Sequence, residues 1–363
     1  MVLKKGYLAL EDGKIFEGYS FGAQKEAAGE VVFNTSSFGY QEIITDPSSF
    51  GHITCFTQPH IGNYGCNKDS DEFSRVCSSA IAVKENSSVT SNVFSEFSLE
   101  ELLLKNNAPG IEGVDTRALT KYIGNNGSMK AVISFLGDYP SNLTRKAKEL
   151  SADDTKYIEA VSSKEKYIYC RGSKGTIGVM DYGCKNSFLK GIASGGYTIA
   201  VFPYNASAGE VSEAGIDGLF LSNGPGKASG NLPSAVKEII ESNPELPVFG
   251  VCMGFQVLAG VFGGKFEKHK TGRHGANHPV KNLGTGRVEI TSQNNGYSLE
   301  ASFAKNKDIV ITHANLFDSG IQGFKHKEYP VYGVQYYPAV GMSETAYLFE
   351  TFFGMVNKNA KKN

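Results

Sequence analysis

Apolar residues along this chain follow two different patterns, one on each side of about residue 175. In the first part, short apolar runs of mixed character alternate with turn signals. Tyr7-Leu8-Ala9-Leu10 and Lys14-Ile15-Phe16 flank Asp12-Gly13, a pair that tolerates positive φ and so predicts a hairpin. Further strand-like runs stand at Val31-Val32-Phe33, Ile53-Thr54-Cys55-Phe56 and Ala80-Ile81-Ala82-Val83. Ser98-Leu99-Glu100-Glu101 ahead of Leu102-Leu103-Leu104 is a capping-box pattern and predicts a helix start. Asp115 is placed to cap a second helix through Arg117, Leu119 and Tyr122 to Gly124, and residues 130–134 read as a closing strand. The expectation for residues 1–137 is a smaller, mixed α+β domain with no motif that carries chemistry by itself.

Residues 138–174 are polar and lysine-rich, with weak helical character, and read as the connection between domains. From Thr176 onward, short apolar strands recur at 177–180, 198–202, 218–221 and 248–251, separated by helix-length segments. That alternation predicts an α/β domain over 175–363: an open, mainly parallel sheet with helices on both faces. Runs at 288–291, 309–312 and 332–335 add strands, and a last helix is expected from near Ser343. In such sheets ligands bind outside the carboxyl ends of the strands. Three strands end in loops of interest: Asp181-Tyr182-Gly183, Ser222-Asn223-Gly224-Pro225-Gly226 and Gly250-Val251-Cys252-Met253-Gly254.

The last of these puts a cysteine on a sharp turn between an apolar run, Pro247-Val248-Phe249, and a helix, the geometry of a nucleophile elbow. Gly250 and Gly254 remove side chains that would clash there. The amino end of the following helix favours the thiolate. Backbone N–H groups at Met253 and in the Gly224–Gly226 turn are placed to form an oxyanion hole for a reaction at Cys252.

Composition narrows the classes. A chain of 363 residues suggests two domains, and a net charge of −1 without a long basic block argues against nucleic acid or an anionic membrane as partner. The uncharged stretch 247–264 holds too many glycines, and Gln256, for a bilayer span. Six cysteines stand singly with no Cys-x-x-Cys pair, which argues against a zinc site and against a secreted disulfide framework, so no metal is expected. Cys55, Cys66, Cys77, Cys170 and Cys184 read as small buried residues. With no signal-peptide pattern at the start, the expected location is the cytoplasm.

The elbow with Gln256, together with Ser222-Asn223-Gly224-Pro225-Gly226, resembles a class I glutamine amidotransferase domain. The first domain narrows the resemblance to the small subunit of carbamoyl phosphate synthetase. The stretches that carry it are 29–36, 39–42, 45–48 and Pro59-His60-Ile61-Gly62-Asn63-Tyr64-Gly65, with Asp115-Thr116-Arg117-Ala118-Leu119-Thr120 and Asn277-His278-Pro279-Val280-Lys281. The resemblance implies hydrolysis of L-glutamine at the cysteine and passage of ammonia to a large partner subunit, which makes carbamoyl phosphate for pyrimidine and arginine synthesis. It implies no cofactor in this chain, with ATP and Mg confined to the large subunit. It also implies glutamine contacts at Ser36, Gly224, Gly226, Met253, Gln256, Asn294, Gly296 and Tyr297.

The chain departs from that pattern where the chemistry is. The resemblance puts a catalytic histidine at Tyr337 and the glutamate that orients it at Ala339, and histidines at Phe255 and Asn295. A positioned general base is worth ~10²–10⁴ in rate. A neutral phenol, with a pKa of about 10, is a poor proton acceptor at pH 7. Glu344 is a further candidate base, while His274, His278 and His313 sit in ordinary family sequence. The leading expectation is a small subunit that binds glutamine with its glutaminase weak or lost. Two alternatives stay open: a working glutaminase with an unorthodox base, and a non-enzymatic glutamine-binding sensor.

Overall fold

A computed structural model describes residues 3–137, 139–151, 153–339 and 343–360. The chain forms two compact units, Met1–Ala152 with Lys270–Gly275, and Asp153–His269 with Ala276–Asn363.

In the first unit the Asp12-Gly13 turn, with Gly13 at φ 101°, joins β1 (Lys5–Leu10) to β2 (Ile15–Gly22) as an antiparallel hairpin. The strands β3 (Ala27–Asn34), β4 (His52–Phe56), β6 (Ala80–Ala82), β8 (Pro109–Glu112) and β9 (Met129–Ser134) close with it into a barrel, in the order β1-β2-β8-β6-β4-β3-β9. A small pair, β5 (His60–Ile61) and β7 (Glu85–Asn86), lies apart. Closure leaves no strand edge unpaired, which the mixed strand pattern in the sequence did not reveal. Inward residues such as Leu8, Val31, Ile53, Ile111 and Ile133 fill one core with Leu119 and Ile123 of α3 (Thr116–Asn126). Helix α1 (Tyr40–Thr45) and α2 (Leu99–Lys105) pack in a second cluster. The capping box of α2 is complete, with Ser98 and Glu101 bonding each other's backbone N–H. Asp115 Oδ1 caps α3 at Ala118 N–H, and the helix runs past Gly124 to Gly127, whose φ of 98° ends it.

The polar segment 138–174 is not a plain connection. It contains α4 (Pro140–Glu149), α5 (Asp154–Val161) and β10 (Tyr167–Cys170). Leu143 and Ala147 of α4 are buried on Ala9 and Val132 of the barrel wall, so that helix belongs to the first unit. Ile158 of α5 is buried in the core of the second unit, and β10 pairs there as an edge strand. Each helix buries only two side chains, too narrow a stripe to stand out in a lysine-rich sequence.

The second unit is built on a ten-stranded sheet. Its parallel part is β12 (Thr198–Pro203), β11 (Thr176–Asp181), β13 (Gly218–Leu221), β14 (Val248–Val251) and β19 (Val331–Val334), in that order. Leu219, Phe220 and Leu221 are fully buried, as strands covered on both faces require. Residues from α6 (Asn186–Ser194) and α10 (Tyr347–Ala360) cover one face. Residues from α5, α7 (Ala208–Glu213), α8 (Leu232–Ser242) and α9 (Met253–Val261) cover the other. The last helix starts four residues later than Ser343, where the expected start was placed.

An antiparallel extension completes the sheet with β18 (Ile321–His326), β16 (Val288–Leu299), β15 (Phe266–Asn282) and β17 (Ile309–Asn315). Strand β15 has almost no apolar alternation and was missed in the sequence. Its middle belongs to the first unit, where Lys270 and His274 carbonyls accept N–H groups of Ser128 and Thr35.

A buried polar clamp ties this extension to α10. Tyr347 donates its hydroxyl to Glu289 Oε1 at 3.0 Å, and Tyr336 donates to Oε2 at 3.3 Å. Asn282 Nδ2 reaches both Tyr347 and Glu289. Since the Tyr347 proton goes to Glu289, His313 Nε2 at 2.7 Å is the donor to Tyr347, and Nδ1 accepts from Thr312 at 2.9 Å. Burial pulls the His313 imidazole down to about 4.

This sets a pH dependence. His313 is neutral in the fold, and its contribution is complete above the unfolded value of about 6.5. It is lost as pH falls from there toward the folded value, because the unfolded chain then binds a proton that the native state refuses. Between pH 7.5 and 5 the parent chain should lose about 2 kcal/mol more stability than His313→Gln. Urea titrations of both proteins at the two pH values measure this; equal losses would remove His313 from the account.

Candidate active site

The carboxyl ends of β11, β13, β14 and β19 bring most of the candidate residues together. Cys252 links β14 to α9 with φ 53° and ψ −102°, a backbone state that costs a non-glycine residue ~1–3 kcal/mol. Surrounding bonds hold it there. Cys252 N–H donates to the Val334 carbonyl at 3.0 Å, and Gly254 N–H donates to the Ser222 carbonyl at 2.8 Å. A side chain on Gly254 would overlap the Leu221 backbone, and one on Gly250 would stand 2.5 Å from the Gly254 carbonyl. The turn therefore fits only where both are glycine.

The thiol lies against β16, its Sγ 3.8 Å from the Asn294 carbonyl oxygen, and is almost wholly buried. Met253 is the first residue of α9, so its N–H is among those a helix leaves without an intrahelical acceptor. The loop 222–228 faces it from β13. Gly224 packs on the Tyr182 backbone so closely that no side chain fits, and Gly226 takes φ 76°. Three bonds fix this loop. Asn223 Oδ1 accepts Lys185 N–H at 3.1 Å, the Ser222 hydroxyl accepts Tyr182 N–H at 3.0 Å, and Gln256 Oε1 accepts Ala228 N–H at 3.0 Å. Gln256 thus spends its carbonyl oxygen on the loop. Lys227 stands 5.9 Å from the Tyr297 ring centre, so β16 and the loop meet again beyond Asn294 and Gly296.

Tyr337 follows β19 and pairs with β16 through its N–H to the Ser292 carbonyl, 2.9 Å. Its ring lies edge-on to Phe188 at 5.9 Å, and the Lys185 ammonium sits 4.6 Å from its centre. Tyr337 and Cys252 belong to one cluster of buried residues. Ala339 is exposed, with its N–H on Thr345 Oγ1. Ser36 belongs to the first unit, where its N–H donates to Asn34 Oδ1.

Of the other cysteines, Cys55, Cys66, Cys77 and Cys184 are buried, whereas Cys170, expected to be buried, is half-buried. Burial pushes the Cys55 and Cys66 thiols up to about 12 and raises Cys77 further. None of the six cysteines is in a disulfide.

Residues 8–133 match the family model described as carbamoyl-phosphate synthase small chain, CPSase domain, and residues 178–355 match glutamine amidotransferase class-I. Similar proteins run end to end with the chain. The carbamoyl phosphate synthase small chain of Aquifex aeolicus is 40% identical over 97% of this chain and 99% of its own length. Those of Fusobacterium nucleatum and Listeria monocytogenes are 41% and 40% identical, each over 98% of this chain and 99% and 98% of their own lengths. The chain belongs to the carbamoyl phosphate synthase small-chain family.

For this family member the two altered positions near the thiol differ in kind. Phe255 turns away from the site into the core, its ring 5.4 Å from Phe324, so a phenyl group there is packing and not an obstruction. Asn295 is nine-tenths buried or more, and neither atom of its carboxamide finds a hydrogen-bond partner among the described residues. The candidate base Glu344 is exposed and accepts Ile290 N–H, and His313 is committed to the clamp.

Sequence reasoning singled out the Asp181-Tyr182-Gly183 loop, Ser222, Asn223 and Gln256 but not the bracing bonds they make. Asp181, at the end of β11, accepts N–H groups of Gly183, Cys184 and Ser163 at 3.0, 2.8 and 2.7 Å, while burial still raises its carboxyl above the usual range. An aspartate directly after an apolar strand and two residues before a glycine was the available signal. Among the described residues no helix is long and apolar enough to cross a membrane.

The contact of Gly254 with Leu221 is backbone against backbone and cannot be relieved by a rotamer change. Gly254→Ala should cost about 1–3 kcal/mol or prevent folding, as overpacked cores do. A thermal melt against the parent chain measures it; an unchanged melting point would show that the elbow tolerates a Cβ.

Proposed function

We propose that this small chain holds glutamine at the Cys252 elbow and hydrolyses it slowly or not at all, serving as a structural or regulatory partner of a large subunit supplied with free ammonia. The carrying observation is the filling of position 337: a tyrosine ring, edge-on to Phe188 and with the Lys185 ammonium over it, stands where the resemblance puts an imidazole. In this reading ATP and magnesium act on the large subunit alone.

The arrangement explains why turnover suffers more than binding. Attack by Cys252 Sγ on the glutamine carboxamide carbon moves an electron pair to its oxygen, which Met253 N–H and the 224–226 loop are placed to receive. Collapse expels ammonia only if a proton reaches the nitrogen, and the thioester is cleared only if water loses one. One imidazole would serve both steps, each worth ~10²–10⁴. Cysteine is a few per cent thiolate at neutral pH unaided, so acylation keeps a slow route that water attack lacks.

Ammonia release from glutamine by the assembled complex tests this reading. The parent and Cys252→Ala should release it at similar low rates, and Tyr337→His with Ala339→Glu should raise the parent rate by ~10²–10⁴. A fast parent rate that Cys252→Ala abolishes would establish an unorthodox base instead. Failure to co-purify with a large subunit would favour the sensor reading.

A further inference from the structure

We infer that Asp154 of α5 is a positioning residue for the oxyanion loop, holding residues 224–228 in the conformation that presents N–H groups to a glutamine carbonyl at Cys252. The assignment rests on the glutamine-site reading above and adds to it a residue from outside both segments that match the family models, which span 8–133 and 178–355.

Three contacts carry it. The Asp154 carboxylate accepts the Lys227 backbone N–H, next to the turn. Its Oδ1 packs so closely on Gly226 that a side chain there would overlap it, and Gly226 is the loop residue with φ 76°. The peptide on the other side of Lys227 is fixed by Ala228 N–H on Gln256 Oε1. The left-handed turn is therefore clamped at its exit by two acceptors, one from the elbow helix and one from α5. Without Asp154 the Lys227 N–H loses its acceptor, and the Gly226 peptide loses one of the contacts that hold it in line.

The helix is built to hold that carboxylate still. Asp153 and not Asp154 caps it, through Lys156 N–H, which leaves Asp154 available. Ile158 and Val161 are buried, and Ile158 shares its core with Leu221 and Met253, the residues flanking the loop and the thiol. The end of the helix braces the neighbouring loops as well: Ser163 N–H donates to Asp181 Oδ2, and the Ser162 hydroxyl accepts Tyr204 N–H.

A pair of thiol reagents reads the loop without requiring turnover. Iodoacetamide reports the reactivity of Cys252 alone. The chloromethyl ketone analogue of glutamine also places its ketone oxygen where the oxyanion forms, as the thiolate displaces chloride from the adjacent methylene. In the full-length chain, Asp154→Ala should slow the ketone reaction at least about ten-fold, part of the ~10²–10³ that removing an oxyanion donor costs. The iodoacetamide rate should stay within about two-fold of the parent. Asp154→Asn keeps an acceptor for Lys227 N–H and should restore most of the ketone rate. A ketone rate untouched by Asp154→Ala, or both rates falling together in both variants, overturns the assignment. A parent chain that shows no preference for the ketone and no protection by glutamine loses the glutamine-site reading itself, and the role of Asp154 with it.

Discussion

The backbone of Cys252 is the constraint around which the second unit is organised. A cysteine at φ 53° and ψ −102° does not persist unless its neighbours over-determine it. Here they do so with main-chain bonds to the end of β19 and to the loop after β13, and with glycines where backbones must nearly touch. The strained turn lifts the thiol out of the sheet and aligns it with the first turn of a helix that is buried all round. The arrangement of loops at this end of the sheet follows from the need to hold that corner.

The loops are held mainly by side chains bonding to backbone. Asn223, Ser222, Gln256, Asp181 and Asp154 each accept N–H groups from a neighbouring loop or turn. Such bonds are individually modest, about 1 kcal/mol, but a buried N–H deprived of its acceptor costs more than the bond contributed. A site made this way is rigid as a set and sensitive at each member. None of these bonds involves position 337 or 339.

That independence accounts for the combination seen here. Tyr337 has been absorbed by the hydrophobic cluster beneath α6, with its ring against Phe188 and the ammonium of Lys185 over its face, a contact worth ~0.5–2 kcal/mol. Ala339 faces solvent. Asn295 carries a polar group that finds no partner among the described residues. The loops around the thiol are braced without any contribution from the Tyr337 and Ala339 side chains.

The sequence by itself determined the parallel strands, the hairpin, the two helix caps and the cysteine corner. Each depends on residues close together in the chain: a run of apolar residues buried on both faces, a Ser and a Glu three apart, a glycine on either side of a cysteine. The family was legible for the same reason, through uninterrupted stretches. Tertiary structure alone decided the rest. Barrel closure joins β1 to β9 across more than a hundred residues, and β15 is a strand only because its partners make it one. Asp154 and Lys227 are far apart in sequence, and nothing in the polar segment 138–174 marks one carboxylate among its charges as an acceptor for a distant loop. Local pattern encodes local conformation; which buried N–H meets which acceptor is settled only when the whole core closes.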